Sequence, residues 1–293
     1  MNRVSSNSTN IINNGLINKF KYPWNVTRVL GGHPRSSDGE GVKVGIIDTG
    51  IDLHHPDLKE NIKGGINVLS PSLPPQDDYG HGTHVAGIIG ARHSKTGIVG
   101  VAPAVSLYAI KVQDRFGRGT LGTLIRGIEW AIRNRMHILN ISLNSGGSIH
   151  PILRKTVHTA IRKGILVVAA AGNNGRASGT GNNVQVPARI PGIVAVGAVD
   201  CHNRRAPFSS TGPSLVISAP GVNILSTFLN KRYAVLNGTS MAAPHVSGVA
   251  AIVKQAHPYA TPAQIVQTLR RHSIDLPPRG RDWLTGVGLV QRP

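Results

Sequence analysis

Five apolar runs, separated by segments with helical periodicity, constrain this chain more than any other feature. The runs are Val42 to Ile47, Ser106 to Val112, Ile138 to Leu143, Ile165 to Ala171 and Ile193 to Val199. Each is short, rich in β-branched residues and apolar on both alternations, so each reads as a strand buried on both faces. Helical patterns lie between and after them. One runs from about Thr83 to Ala91. Leu121 to Arg133 places Leu124, Ile125, Ile128 and Ile132 on one face, and Ile152 to Lys163 does the same with Leu153, Val157, Ala160 and Ile161. Ser240 to Ala256 and Pro262 to His272 complete the set, with Thr261 as the N-cap of the last helix and Pro262 at its first position. Strands alternating with helices predict an α/β domain, with a mostly parallel central sheet and helices on both faces. In such sheets functional groups gather at the carboxyl ends of the strands. Asp48 follows the first run directly, and Asn173 lies just past the fourth.

Composition narrows the function classes. A chain of 293 residues with 40% hydrophobic content buries a core without staples. Its single cysteine, Cys201, forms no intrachain disulfide and reads as a small apolar filler. The net charge of +19 raises nucleic-acid binding as a reading. The basic residues are scattered, however, with local pairs only at Arg204-Arg205 and Arg270-Arg271, which argues for a generally basic surface and no specific nucleic acid partner. No run of about 18 apolar residues predicts a membrane span.

Four residues carry candidate chemistry. Asp48 ends a buried strand, where a carboxylate needs a hydrogen-bonding partner such as a histidine N–H. His81 lies in Gly80-His81-Gly82-Thr83-His84, where flanking glycines let the backbone pass close to other groups. His81 and His84 are spaced for a metal pair, but Gly82 stands where a zinc protease helix carries its glutamate. Ser240, in Gly238-Thr239-Ser240-Met241-Ala242-Ala243-Pro244, opens a helix, where backbone N–H groups favour an oxyanion. Asn173, in Ala171-Gly172-Asn173, offers a side-chain amide donor. Singly, these residues read as a turn aspartate, a packed histidine, a helix cap and a turn asparagine. Together they fall in the chain order Asp, His, Asn, Ser.

From about Tyr22 to Gln291 the chain resembles the subtilisin family of serine proteases. The resemblance rests on Asp48-Thr49-Gly50-Ile51-Asp52, His81-Gly82-Thr83-His84-Val85-Ala86-Gly87, Ala171-Gly172-Asn173 and the Ser240 segment, with support from Gly127 to Ile132 and Val194 to Val199. It implies a three-layer subtilisin-like fold and a serine endopeptidase acting on protein or peptide substrates. Asp48, His81 and Ser240 become the catalytic residues, and Asn173 an oxyanion donor. A catalytically silent binding protein and a basic nucleic-acid-binding protein are the alternatives.

The same resemblance implies that the substrate backbone pairs with Gly117-Arg118-Gly119 and Ser142-Leu143-Asn144, while Leu121 lines the pocket four residues before the cut. The family usually has glycine at the position of Asn144. Gln185, in Gln185-Val186-Pro187, replaces a small residue in the primary pocket, and Asn174 replaces an often acidic rim residue. With Arg115, Arg118 and Arg189 on segments near the cleft, these departures predict a weaker preference for large aromatic residues before the cut and better tolerance of acidic ones. Structural calcium (Ca2+) is implied through Asp57 and the loop of Arg92, Ser94, Thr96 and Ile98, with no cofactor for catalysis.

Residues 1–20 read as an N-terminal extension and residues 21–293 as the peptidase domain. Met1 to Asn14 lacks the apolar core of a signal peptide, which favours a cytoplasmic placement, with secretion as the alternative. A segment from Asn10-Ile11-Ile12 to Leu16-Ile17 stands as a loose substitute for the blocking motif of intracellular subtilisins; the other reading is a disordered tail.

Overall fold

A computed structural model describes residues 10–12, 21–92 and 97–293. In chain order its elements are β1 (Asn10–Ile12), α1 (Trp24–Leu30), β2 (Lys43–Asp48), β3 (Ile62–Asn67), α2 (His81–Gly90), β4 (Ser106–Lys111), α3 (Leu121–Arg133), β5 (Ile138–Ile141), α4 (Pro151–Arg162), β6 (Leu166–Ala170), β7 (Val194–Val199), β8 (Leu215–Pro220), β9 (Ile224–Phe228), β10 (Arg232–Leu236), α5 (Thr239–Ala256) and α6 (Pro262–His272).

A seven-stranded sheet in the order β3-β4-β2-β5-β6-β7-β8 forms the middle layer. Every neighbouring pair in it is parallel. The central strand β2 shows why its sequence is apolar throughout. Val44 and Ile46 face a core shared with α2 and α5, while Ile47 faces the opposite core with Ile110, Ile128 and Leu153. Both faces are therefore covered, as expected of an all-parallel sheet. The Thr261 cap holds as expected: its side chain accepts from Gln264 N–H, with Pro262 in the first turn.

Five strands had been expected, and each observed strand lies within a residue or two of its apolar run. The sheet adds two edge strands to those five, β3 and β8, the latter an apolar run, Leu215-Val216-Ile217, that the expectation left out. β3 carries Lys63, Gly64 and Gly65 and is half open to solvent, so only a few of its residues need be apolar. A separate three-stranded antiparallel sheet, β1-β10-β9, was not anticipated. In it Asn10, Ile11 and Ile12 pair with Val235, Ala234 and Tyr233. Of the expected blocking segment, Leu16 and Ile17 lie outside the described residues. Cys201 corrects another expectation: it is exposed in the turn after β7, its sulfur 3.4 Å from His202 Nδ1. Among the described residues no helix is long and apolar enough to cross a membrane.

Candidate active site

Each candidate side chain arrives at one end of the sheet on a different element. Asp48 is the last residue of β2, His81 the first of α2, Asn173 follows β6, and Ser240 lies in the first turn of α5. Asp48 is fully buried. Its Oδ1 accepts the His81 Nδ1–H at 2.7 Å and the Thr49 N–H at 2.8 Å. Close approach of α2 to β2 makes this possible. A Cβ on Gly82 would collide with the Gly50 carbonyl oxygen, and the Gly82 N–H instead donates to Thr49 Oγ1 at 2.9 Å.

The Asp48 hydrogen bond fixes the His81 tautomer, with the proton on Nδ1 and the lone pair on Nε2. Burial alone would lower the basicity of His81. The Asp48 charge and hydrogen bond, helped by the Asp77 charge, outweigh it and raise the pKa above the usual 6.5. Among the described residues His81 Nε2 and Asp48 Oδ2 are buried without a hydrogen-bond partner.

Ser240 is 5% exposed. Its hydroxyl donates to the Ser142 carbonyl at 2.9 Å, and the Ser142 hydroxyl donates to the Ser240 carbonyl at 3.0 Å. The serine is not the helix cap: Gly238 holds that position, with no side-chain cap. In that first turn the Met241 N–H bonds to the Gly238 carbonyl, and the Thr239 N–H is taken by a side chain from outside the helix. Asn173 Oδ1 accepts both the Thr239 N–H at 2.9 Å and the Thr239 hydroxyl at 3.0 Å. With the oxygen held, the amide orientation is fixed. Its NH2 group faces Gly238, 3.4 Å from where a Cβ would stand.

Asp77 escaped the sequence reading. Its Oδ1 accepts from Tyr79 N–H and Gly80 N–H, each at 2.9 Å. Its Oδ2 accepts from Thr83 N–H at 2.9 Å and the Thr83 hydroxyl at 2.6 Å. One carboxylate thus organises the start of α2, and its backbone N–H bonds to the Ile51 carbonyl just beyond β2. An acidic residue shortly before a predicted helix start was the available signal.

Two segments flank the end of β2, because β4 and β5 are its neighbours. After β4 come Gly117, Arg118 and Gly119, then Leu121 at the start of α3, half-buried. After β5 come Ser142, Leu143 and Asn144, followed by an antiparallel bridge between Ser145 and Val186. That bridge brings in Gln185, which is buried and lies over Gly172; a Cβ there would stand 2.5 Å from Gln185 Oε1. Asn174 is exposed, its N–H donating to Ser210 Oγ at 3.3 Å. The Arg189 guanidinium donates to the Gly147 carbonyl.

The calcium expectation fares differently. Asp57 is buried, and its Oδ2 accepts from Ile98 N–H at 3.0 Å and the Tyr233 hydroxyl at 2.8 Å. Burial and the adjacent Asp57 charge raise the Tyr233 pKa. Arg92 donates its N–H to the Asp57 carbonyl, and its guanidinium lies 3.7 Å from Glu60. Ser94 and Thr96 lie outside the described residues. The described groups turn hydrogen-bond donors toward Asp57, where calcium needs six to eight oxygens. With Ser94 and Thr96 outside the described residues, the expected ligand set is described only at Asp57, Arg92 and Ile98.

Comparison with known proteins places the chain. A model of the Subtilase family matches residues 39–288. The thermostable alkaline protease of Halalkalibacterium halodurans is 47% identical over 271 residues, covering 92% of this chain and 72% of its own. Subtilisin BL of Lederbergia lenta is 46% identical over 270 residues, covering 92% of this chain and 96% of its own. A crystal structure of a cold adapted subtilisin-like serine proteinase superposes with a TM-score of 0.82 at 30% identity, covering 93% of this chain and 99% of that one.

The chain belongs to the subtilase family and is a serine-type endopeptidase. As a protease it acts on protein or peptide substrates. The cytoplasmic expectation is overturned: the relatives are named alkaline proteases and subtilisins, which conflicts with that placement.

Proposed function

We propose that Ser240 is the nucleophile of this endopeptidase, His81 its general base and Asp48 the group that orients and stabilises the imidazolium. The observation carrying this reading is the buried 2.7 Å bond from His81 Nδ1 to Asp48, which leaves a Nε2 lone pair without a partner among the described residues. In this reading the Ser240 hydroxyl leaves the Ser142 carbonyl and donates to that lone pair. His81 takes the hydroxyl proton as Ser240 Oγ attacks the scissile carbonyl. The negative charge then forming on the carbonyl oxygen is met by the Asn173 NH2 group and the Ser240 N–H. His81 Nε2–H protonates the leaving amine, and a water attacks the acyl-enzyme by the same route.

Gly117-Arg118-Gly119 and Ser142-Leu143-Asn144 are read as the edges between which the substrate strand lies, with Leu121, Asn174 and Gln185 shaping its side-chain pockets. The position of Gln185 over Gly172 supports a short, polar-floored pocket before the cut. We further read residues 21–293 as the peptidase unit and 1–20 as an extension. The pairing of Asn10–Ile12 with β10 supports an anchored extension rather than a free tail. Subtilases generally bind calcium. Asp57, with Arg92, Ser94, Thr96 and Ile98, is read as the place where this chain would hold it, and no catalytic step depends on it.

The test is cleavage of an unfolded protein substrate by wild type and by Ser240→Ala. Wild type is expected to cut internal bonds and the variant to lose turnover. Equal cutting by both would remove Ser240 from the mechanism.

A further inference from the structure

The loop joining β4 to α3 is unusually well braced for an exposed segment. Asp114 Oδ1 accepts from Phe116 N–H at 2.9 Å and Arg118 N–H at 3.0 Å. The Asp114 N–H bonds to the Arg118 carbonyl, and the Gly117 N–H to the Asp114 carbonyl. Gln113 Nε2 donates to the Gly117 carbonyl at 2.9 Å. Gly117 itself has φ 67°, a left-handed conformation that suits glycine. This turn holds Phe116 outward, 49% exposed.

What packs on Phe116 is charge. The guanidinium carbons of Arg115 and Arg118 each lie 4.9 Å from the centre of its ring. Stacking on an aromatic face restrains a long side chain and leaves the edge N–H groups of the guanidinium free for a planar acceptor. Among the described residues neither guanidinium has an ion-pair partner. The nearby carboxylates are already engaged. Asp114 holds its own loop backbone, and Asp78 is bound by Lys111 Nζ at 2.7 Å.

This loop adjoins the reacting groups. The Asp48 carbonyl accepts from Val112 N–H and Gln113 N–H at its base. Gly117 packs on Tyr79, two residues before His81, with a Cβ position 3.3 Å from the ring. We propose that Arg115 and Arg118, stacked on Phe116, read acidic side chains of the bound peptide several residues ahead of the cut. The inference rests on the endopeptidase reading of this cleft and deepens it by naming a substrate class. The planar edge of each guanidinium matches a carboxylate. The positions at the rim favour capture and discrimination over tight binding.

The experiment uses matched fluorogenic peptides that differ only by Glu, Gln or Lys at successive positions before the cut. At one or two positions kcat/KM is expected to fall in the order Glu, Gln, Lys, by roughly fivefold per step. The spread shrinks when salt is raised to about 0.5 M, as exposed charges are screened. Arg115→Glu/Arg118→Glu reverses the order, and Arg115→Gln/Arg118→Gln flattens it. Equal cutting of Glu and Lys peptides at every position by wild type overturns the inference and leaves the endopeptidase reading standing. So does a charge-reversed enzyme that keeps the wild-type order. A protein that cuts none of the peptides and takes up no fluorophosphonate overturns both.

Discussion

His81 and His84 stand three residues apart on one helix, both buried, yet their basicities move in opposite directions. His81 meets a carboxylate, and the Asp48 charge and hydrogen bond raise its pKa against the pull of burial. His84 meets carbonyls: Nε2–H faces the Ile224 oxygen at 3.1 Å and the Ala234 oxygen at 3.0 Å. Burial therefore dominates and lowers its pKa to about 3. The first arrangement produces a base that charges easily. The second produces a neutral pin that fastens α2 to β9 and β10. The partner decides the role, and residue type and burial do not.

Deletion of the His81 imidazole has the largest expected effect. His81→Ala is expected to lower kcat by about 10⁶-fold, a magnitude taken over from subtilisin itself, with Tm little changed. Asp48→Asn gives His81 an environment nearer to that of His84. It should lower kcat/KM by about 10⁴-fold, and the acid limb of the pH profile should move to lower pH. An unmoved limb would mean that Asp48 does not set His81 basicity. In wild type that limb should lie above 6.5, because the base acts only when neutral and its pKa is raised.

His84→Gln is expected to do the reverse. It should cost about 1–3 kcal/mol of stability, as measured by denaturant unfolding, and leave the pH profile of kcat/KM in place. A shifted profile would make His84 part of the acid–base system.

The stability effects of pH have opposite signs at the two residues. His84 is held neutral in the fold, as is His245, whose pKa burial also lowers to about 3. Unfolded, each takes a proton near 6.5, so their contribution is full above 6.5 and is lost as pH falls toward 3. His81 contributes fully below 6.5 and loses its contribution as pH rises through its raised folded pKa. Urea midpoints across this range should show the acid-side loss reduced in His84→Gln. Chelation with EGTA is the smallest test. A drop in Tm is expected if the Asp57 loop holds calcium, and an unmoved Tm would argue against a site there.

Sequence made His81 legible and His84 half legible. The glycines around His81, the strand-ending Asp48 and the helix-opening Ser240 each leave a local mark, because close backbone approach and strand ends demand particular residue types. The same holds for β2, β5, β6 and β7, whose double burial writes continuous apolar runs. The partners of His84 leave no such mark. They are main-chain carbonyls of Ile224 and Ala234, available from any residue, in a hairpin whose Ser226, Thr227 and Arg232 obscure its pattern. Asp77 was hidden for a related reason, since its work is done on backbone N–H groups. The direction of the Ser240 hydroxyl toward Ser142 is likewise a matter of rotamer, beyond any pattern in sequence.

The most direct measurement is the rate of fluorophosphonate inactivation as a function of pH, with the adduct mapped by mass spectrometry. A single adduct on Ser240 is expected, formed at a rate that rises with pH through a midpoint above 6.5, with labelling lost in His81→Ala. An adduct on another residue, or inactivation of wild type that is indifferent to pH, would contradict it.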